Sequence, residues 1–105
     1  MPDLDGTEVP ELNPVIHGKL RLALLSLLMT VEAADFTWLR ARTGSTDGNL
    51  GAQMAKLEEA GYVAVEKKFV ERKPQTLYRM TEAGRRALAE YVQALKQLLG
   101  ASIEN

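Results

Sequence analysis

The sequence contains no cysteine, which excludes disulfides, thiolate metal sites and cysteine nucleophiles and accords with a reducing compartment. Its one histidine, His17, is too few for a histidine metal site or a serine–histidine–aspartate arrangement, so a role in packing or in a subunit contact is expected of it. No Gly-rich phosphate loop, metal-ligand cluster or nucleophile motif is present, and the chain is expected to be no enzyme, with no catalytic residue, no metal and no cofactor. The start, Met1-Pro2-Asp3 followed by Asp5, Glu8 and Glu11, lacks the basic opening and apolar run of a signal peptide. The longest apolar stretch, Leu20 to Val31, is interrupted by Arg21, Ser26 and Thr30 and falls short of the ~20 residues that a bilayer-crossing helix needs. A cytoplasmic location with no membrane partner is the resulting expectation.

What is there suits one folded domain. The chain has 105 residues, 46% hydrophobic and 26% charged, close to the balance of an ordinary globular protein with a single core. The net charge of −1 conceals an uneven distribution. Residues 1–12 hold four acids and no base, whereas residues 36–86 hold ten bases against six acids. Local basic charge, rather than the total, is what a polyanionic partner would meet.

Residues 1–12, with Pro2, Gly6 and Pro10 and no hydrophobic period, read as a disordered acidic arm. Asn13-Pro14 reads as a helix start, the asparagine capping free amides and the proline already at a helical φ. The first helix is expected to run from there to about Thr30 and, being apolar around most of its circumference, to be buried on two sides. A short extended piece, Ala34 to Phe36, leads to a second helix capped by Thr37 and stopped at Gly44. Ser45 or Thr46 caps a third helix through Leu50, Met54 and Leu57, ending at Gly61. The period then moves towards two through Tyr62, Val63, Val65, Phe69 and Val70. Glu71 to Gln75 reads as a proline-containing turn, and Thr76 to Met80 as the return strand. Thr81 caps a last helix from Glu82 to about Leu99, closed by Gly100. The fold class is thus mainly α with a small β-hairpin, in the order of a winged helix-turn-helix with a long C-terminal helix.

The stretches Phe36-Thr37-Trp38-Leu39, Thr46-Asp47-Gly48-Asn49-Leu50, Lys56 to Val63, Arg72-Lys73-Pro74 and Thr81-Glu82-Ala83-Gly84-Arg85, taken in order, closely resemble small bacterial winged-helix transcriptional regulators related to the MarR and ArsR types. The resemblance covers residues 14–99 and implies a homodimer that binds duplex DNA. It departs at Gly51 and Gln53, where such proteins often carry a serine and a histidine. Residues 13–81 would form the winged helix-turn-helix domain and residues 82–105 a dimerisation helix and tail.

The third helix has a mechanical reading of its own. Its core stripe is Leu50, Met54 and Leu57, which leaves Asn49, Gln53 and Lys56 on the flanks and outer face, open to a major groove. Asn and Gln can pair with an adenine edge, and Gly48, Gly51 and Ala52 would let the backbone come close to DNA. No arginine lies on this helix, so the commonest guanine contact is missing, and Ser45 or Thr46 with the helix N-terminus would hold phosphate. Lys67, Lys68, Arg72 and Lys73 near the hairpin tip suit backbone or minor-groove contact. Trp38, at helical spacing with Arg42, reads as core or edge packing. The last helix carries Leu88, Tyr91, Val92, Leu95, Leu98 and Leu99 along one side, more than a small domain needs. Together with Val15, Ile16 and Leu20 of the first helix, Leu88, Tyr91, Leu95 and Leu98 form the expected dimer interface. The alternative to DNA binding is a winged-helix protein–protein interaction module. The sequence names neither an operator nor a small-molecule effector.

Overall fold

The computed structural model describes residues 10–103 of the chain. Helices α1 (Lys19–Leu28), α2 (Phe36–Thr43), α3 (Asp47–Glu59) and α4 (Glu82–Ile103) surround a sheet of β1 (Ala34–Asp35), β2 (Val63–Val70) and β3 (Lys73–Met80). The sheet is antiparallel in the order β1-β3-β2. This is the winged-helix arrangement: three helices, the sheet as the floor beneath them, and the β2–β3 hairpin projecting as the wing. Residues 1–9 of the expected acidic arm lie outside the described residues. Its last residue, Leu12, is partly buried against the core.

The first helix begins later than the Asn13-Pro14 pair suggests. The Asn13 side chain does accept from the amides of Val15 (2.9 Å) and Ile16 (3.4 Å), but the turn it caps ends at once. Gly18 is extended (φ −166°) and acts as the start of α1 without a side-chain cap. The break is filled by Arg21, which donates through Nε to the Val15 carbonyl and through Nη2 to that of Pro14. Two carbonyls that a continuous helix would have bonded internally are thereby satisfied by a side chain.

The second helix is capped by Asp35, not Thr37: the Asp35 carboxylate accepts from the Trp38 amide at 2.7 Å. Asp35 can do this because β1 delivers it in an extended conformation, which is the backbone an N-cap requires. Gly44, left-handed at φ 66°, ends α2, and Thr46 caps α3 by accepting from the Asn49 amide at 3.2 Å. Only two residues separate Gly44 from α3, so the two helices form a tight turn.

The core is a single cluster drawn from every layer, with Leu24, Leu25 and Leu28 of α1, Leu39 of α2, Leu50, Met54 and Leu57 of α3, Val63 and Tyr78 of the sheet, and Ala87, Leu88 and Tyr91 of α4. Among the described residues no polar or charged side chain is buried outside this apolar set. Tyr78 is the core's hydroxyl-bearing edge, and its burial, with the Glu58 carboxylate nearby, pushes its pKa above the ordinary phenol value. Thr81 locks α4 onto the sheet: its Oγ1 donates to the Gly61 carbonyl at 2.6 Å, its amide donates to the Tyr62 carbonyl, and Oγ1 caps the Gly84 amide. Gly100 does not close this helix, which runs to Ile103.

Candidate nucleic-acid interface

The helical period divides α3 as the sequence implies. Leu50, Met54 and Leu57 are buried, while Asp47, Gly48, Asn49, Ala52 and Lys56 are exposed on the outer side. An exposed helix face carrying a short amide side chain, small residues and one lysine can enter a major groove and meet base edges. Gly48 and Gly51 have open space where a Cβ would stand, so neither glycine is required by the domain's own packing.

Gln53 differs from the other positions on this helix. It is only partly exposed, its Oε1 accepts from Nη1 of Arg21, and its Nε2 donates to Oδ1 of Asn49 at 3.2 Å. A chain of polar groups thus runs from α1 to the outer face of α3. With Arg21 as the donor, the amide of Gln53 has one orientation that satisfies both neighbours, and Asn49, whose Oδ1 is thereby engaged, keeps its Nδ2 as a donor. The sequence reading missed Arg21, for its only visible partner there was His17 one turn earlier. The pairing across α1 and α3 has no local sequence signal.

Other side chains fix how α3 leaves the turn. Arg40 of α2 donates to Asp47 at 2.7 Å, and this ion pair covers the one acid in the first turn of α3. The Thr43 and Ser45 hydroxyls lie 2.7 Å apart, so Ser45 is tied to the end of α2 while the Thr46 hydroxyl is occupied as the cap. Trp38 packs partly against the core, with the Arg42 guanidinium 4.7 Å above its ring, which agrees with edge packing.

The wing is longer and its turn tighter than the sequence suggests. The strands pair from Val63↔Met80 out to Val70↔Lys73, leaving only Glu71 and Arg72 as the loop, both at positive φ (52° and 70°). Lys73, Pro74 and Gln75, read as turn, are strand residues. Lys67, Lys68, Arg72 and Lys73 are all exposed, and the Glu66 carboxylate is taken up by Arg79 at 3.4 Å. The wing therefore presents four cations against one unpaired-strand carboxylate position, Glu71, at its tip. Its exposed apolar residues, Phe69 and Val70, were read only as part of the strand's alternation.

The residues expected at a dimer interface separate into two groups. Ile16 is 0% exposed, Leu88 6% and Tyr91 4%, so these three are consumed by the domain's own core and have almost no surface to offer a partner. Tyr91 is further held by His17, whose Nδ1 lies 2.8 Å from the phenol oxygen. Val15, Leu20, Leu95 and Leu98 keep partial exposure. Leu20 lines an open groove of about 710 Å³ with Lys19, Leu27, Arg42, Ser45 and Asn49. Val92 and Leu99, beside them on α4, are exposed.

Among the described residues, no group of three or more His, Asp or Glu side chains could hold a metal ion. No described helix is long and apolar enough to cross a membrane.

Comparison with known proteins agrees with this geometry. The family model described as a winged helix DNA-binding domain matches residues 20–99. An uncharacterized protein of Methanocaldococcus jannaschii is 32% identical over 84 residues, 80% of this chain and 91% of that one. A transcriptional regulator homologue from Pyrococcus horikoshii OT3 superposes with a TM-score of 0.78 at 24% identity, over 85% of this chain and 88% of that one, a likeness that speaks for the fold. A protein assigned to the MarR family of transcriptional regulators from Enterococcus faecalis V583 superposes with a TM-score of 0.65 at 27% identity, over 86% of this chain and 80% of that one.

Proposed function

The chain belongs to the winged helix DNA-binding domain family, and from that premise we propose that it is a homodimeric transcriptional regulator that reads duplex DNA sequence-specifically. The observation that carries this reading is the exposed side of α3, with Asn49, Ala52 and Lys56 outward, set beside a wing of exposed cations. In this reading α3 enters the major groove, where Asn49, oriented through Gln53, contacts a base edge. Thr46 and Ser45 at the helix start and Lys56 on its flank meet the adjoining phosphates. Lys68, Arg72 and Lys73 grip the backbone beside it. Base contacts specify and phosphate contacts position, so the two groups of residues have separable signatures.

The test is selection of a preferred duplex from a random pool, followed by affinity measurements over a range of salt concentrations. A steep fall of affinity with salt is expected. Arg72→Ala with Lys73→Ala should weaken binding to preferred and random duplexes alike and flatten the salt slope. Asn49→Ala should instead cost roughly 1–3 kcal/mol of discrimination between them. Salt-insensitive capture of a protein partner, with no duplex selected, would replace this reading with a protein-interaction module.

A further inference from the structure

We propose that Phe69 is an apolar wedge that enters the base stack of duplex DNA at a deformable step while the cations around it hold the flanking phosphates. The proposal rests on the duplex-binding reading above and deepens it. Alternation along β2 places Val63, Val65, Lys67 and Phe69 on one face of the sheet. The first two cover the core, but the core ends there and the wing continues past it, leaving Phe69 76% exposed. Its cross-strand partner is Pro74, also exposed, so the ring is bordered by another apolar group and remains largely open to solvent.

A single exposed apolar side chain is ordinary. The surroundings of this one are not: Lys67 shares its face of the hairpin, Arg72 closes the tip just beyond it, and Lys68 and Lys73 stand on the other face of the same two-stranded ribbon. A second copy docking through this patch would bring these cations against their own equivalents, an unfavourable meeting of like charges. A polyanion has the complementary charge, and the surface a duplex offers to a phenyl ring, which neither donates nor accepts a hydrogen bond, is the face of a base. Apolar side chains that enter the duplex in this way separate adjacent base pairs and kink the helix. The delivery is stiff: Phe69 is paired in the ladder, Pro74 opposite has a fixed φ, and only two residues close the hairpin beyond them.

The experiment uses the full chain and two duplexes of equal length and charge, one with TA steps flanked by 2-aminopurine and one an uninterrupted A-tract. TA steps unstack easily and A-tracts resist it. Wild-type protein is expected to bind the TA duplex more tightly and to raise 2-aminopurine fluorescence. Phe69→Ala should lose about tenfold in affinity for the TA duplex, lose the fluorescence rise and keep the wild-type salt slope, whereas Phe69→Leu should keep most of both. The position's exposure predicts an unchanged melting temperature for both variants. If Phe69→Ala binds both duplexes as wild type does while Lys67→Ala with Lys68→Ala weakens both and flattens the slope, the wing holds only phosphate and the wedge is wrong, with duplex binding intact. If sedimentation shows that Phe69→Ala dissociates an oligomer, the ring is a subunit contact and the proposal also fails. Wild-type protein that binds neither duplex at low salt would overturn the wedge and the duplex reading together.

Discussion

Glycine in a helix interior costs about 1 kcal/mol relative to alanine, and α3 carries Gly51 there, besides Gly48 in its first turn. Neither is there for a left-handed backbone, and a Cβ at either would meet nothing within 4 Å. The domain alone would thus be more stable with alanine at Gly51, and close approach of a duplex backbone, as proposed above, is what would favour glycine there. Gly51→Ala is expected to stabilise the fold by about 0.5–1 kcal/mol yet weaken duplex binding, a combination measured by thermal melting beside DNA affinity. A gain in stability with unchanged affinity would show that the groove does not come close at this position. The split between Leu50, Met54 and Leu57 inside and Asn49, Ala52 and Lys56 outside was legible in the sequence because it follows from the 3.6-residue period. The Arg21–Gln53–Asn49 chain was not, since Gln53 was placed on the free face by the same period and its partner lies 32 residues earlier. Periodicity sorts side chains by face, but it does not say which neighbouring helix a flank position will meet.

At the scale of elements, local signals succeeded where the neighbours were local. Gly44 as the end of α2 and Thr46 as the start of α3 needed only adjacent residues, whereas the wing turn was misread because Pro74 was taken as a breaker. Near the tip β1 has already ended, as it pairs only with Tyr78 and Leu77, so one side of β3 is open at Pro74 and a missing amide there disrupts no second ladder. The true loop, Glu71-Arg72, has the left-handed pair of a type I′ turn without the asparagine and glycine that favour it. Left-handed backbone costs roughly 1–2 kcal/mol for such residues. Glu71→Asn with Arg72→Gly should therefore stabilise the hairpin by about 1 kcal/mol, while taking from the tip the arginine proposed to grip the DNA backbone. Melting temperature and DNA affinity are expected to move in opposite directions, and a lower melting temperature would contradict the turn assignment. Gly84 has the converse role. A Cβ there would stand 2.2 Å from the Tyr62 carbonyl oxygen, which is backbone and cannot rotate away. Gly84→Ala should force α4 off the sheet and cost about 1–3 kcal/mol or more, read as a lower urea midpoint. The sequence displayed this glycine in Thr81-Glu82-Ala83-Gly84-Arg85, but the close approach that requires it is tertiary.

Over the whole molecule the long dimension is 62 Å against 26 and 21 Å, and α4, at 22 residues, is about 33 Å long. Its first half is anchored by Ala87, Leu88 and Tyr91 in the core. Beyond Tyr91 the apolar series continues through Val92, Leu95, Leu98 and Leu99, with Val92 41% and Leu99 50% exposed, although less of the domain is left for it to cover. Two α4 helices packed against each other along Leu95, Leu98 and these exposed neighbours would bury that surface in a symmetric contact. Leu20 and Val15 of the N-terminal region are the partly exposed residues available to extend it. Such a contact would hold two α3 helices at a set separation, and engagement of successive grooves on one side of a duplex requires about 34 Å or a multiple of it. A double substitution, Val92→Asp with Leu99→Asp, touches no fully buried position and should leave the monomer's melting behaviour nearly intact. It is expected to shift sedimentation from dimer to monomer and to weaken binding to a two-half-site duplex far more than binding to a single half-site. Wild-type protein that sediments as a monomer at micromolar concentration, or a double variant that remains dimeric, would remove α4 from the interface and with it the geometric link between subunit pairing and half-site spacing.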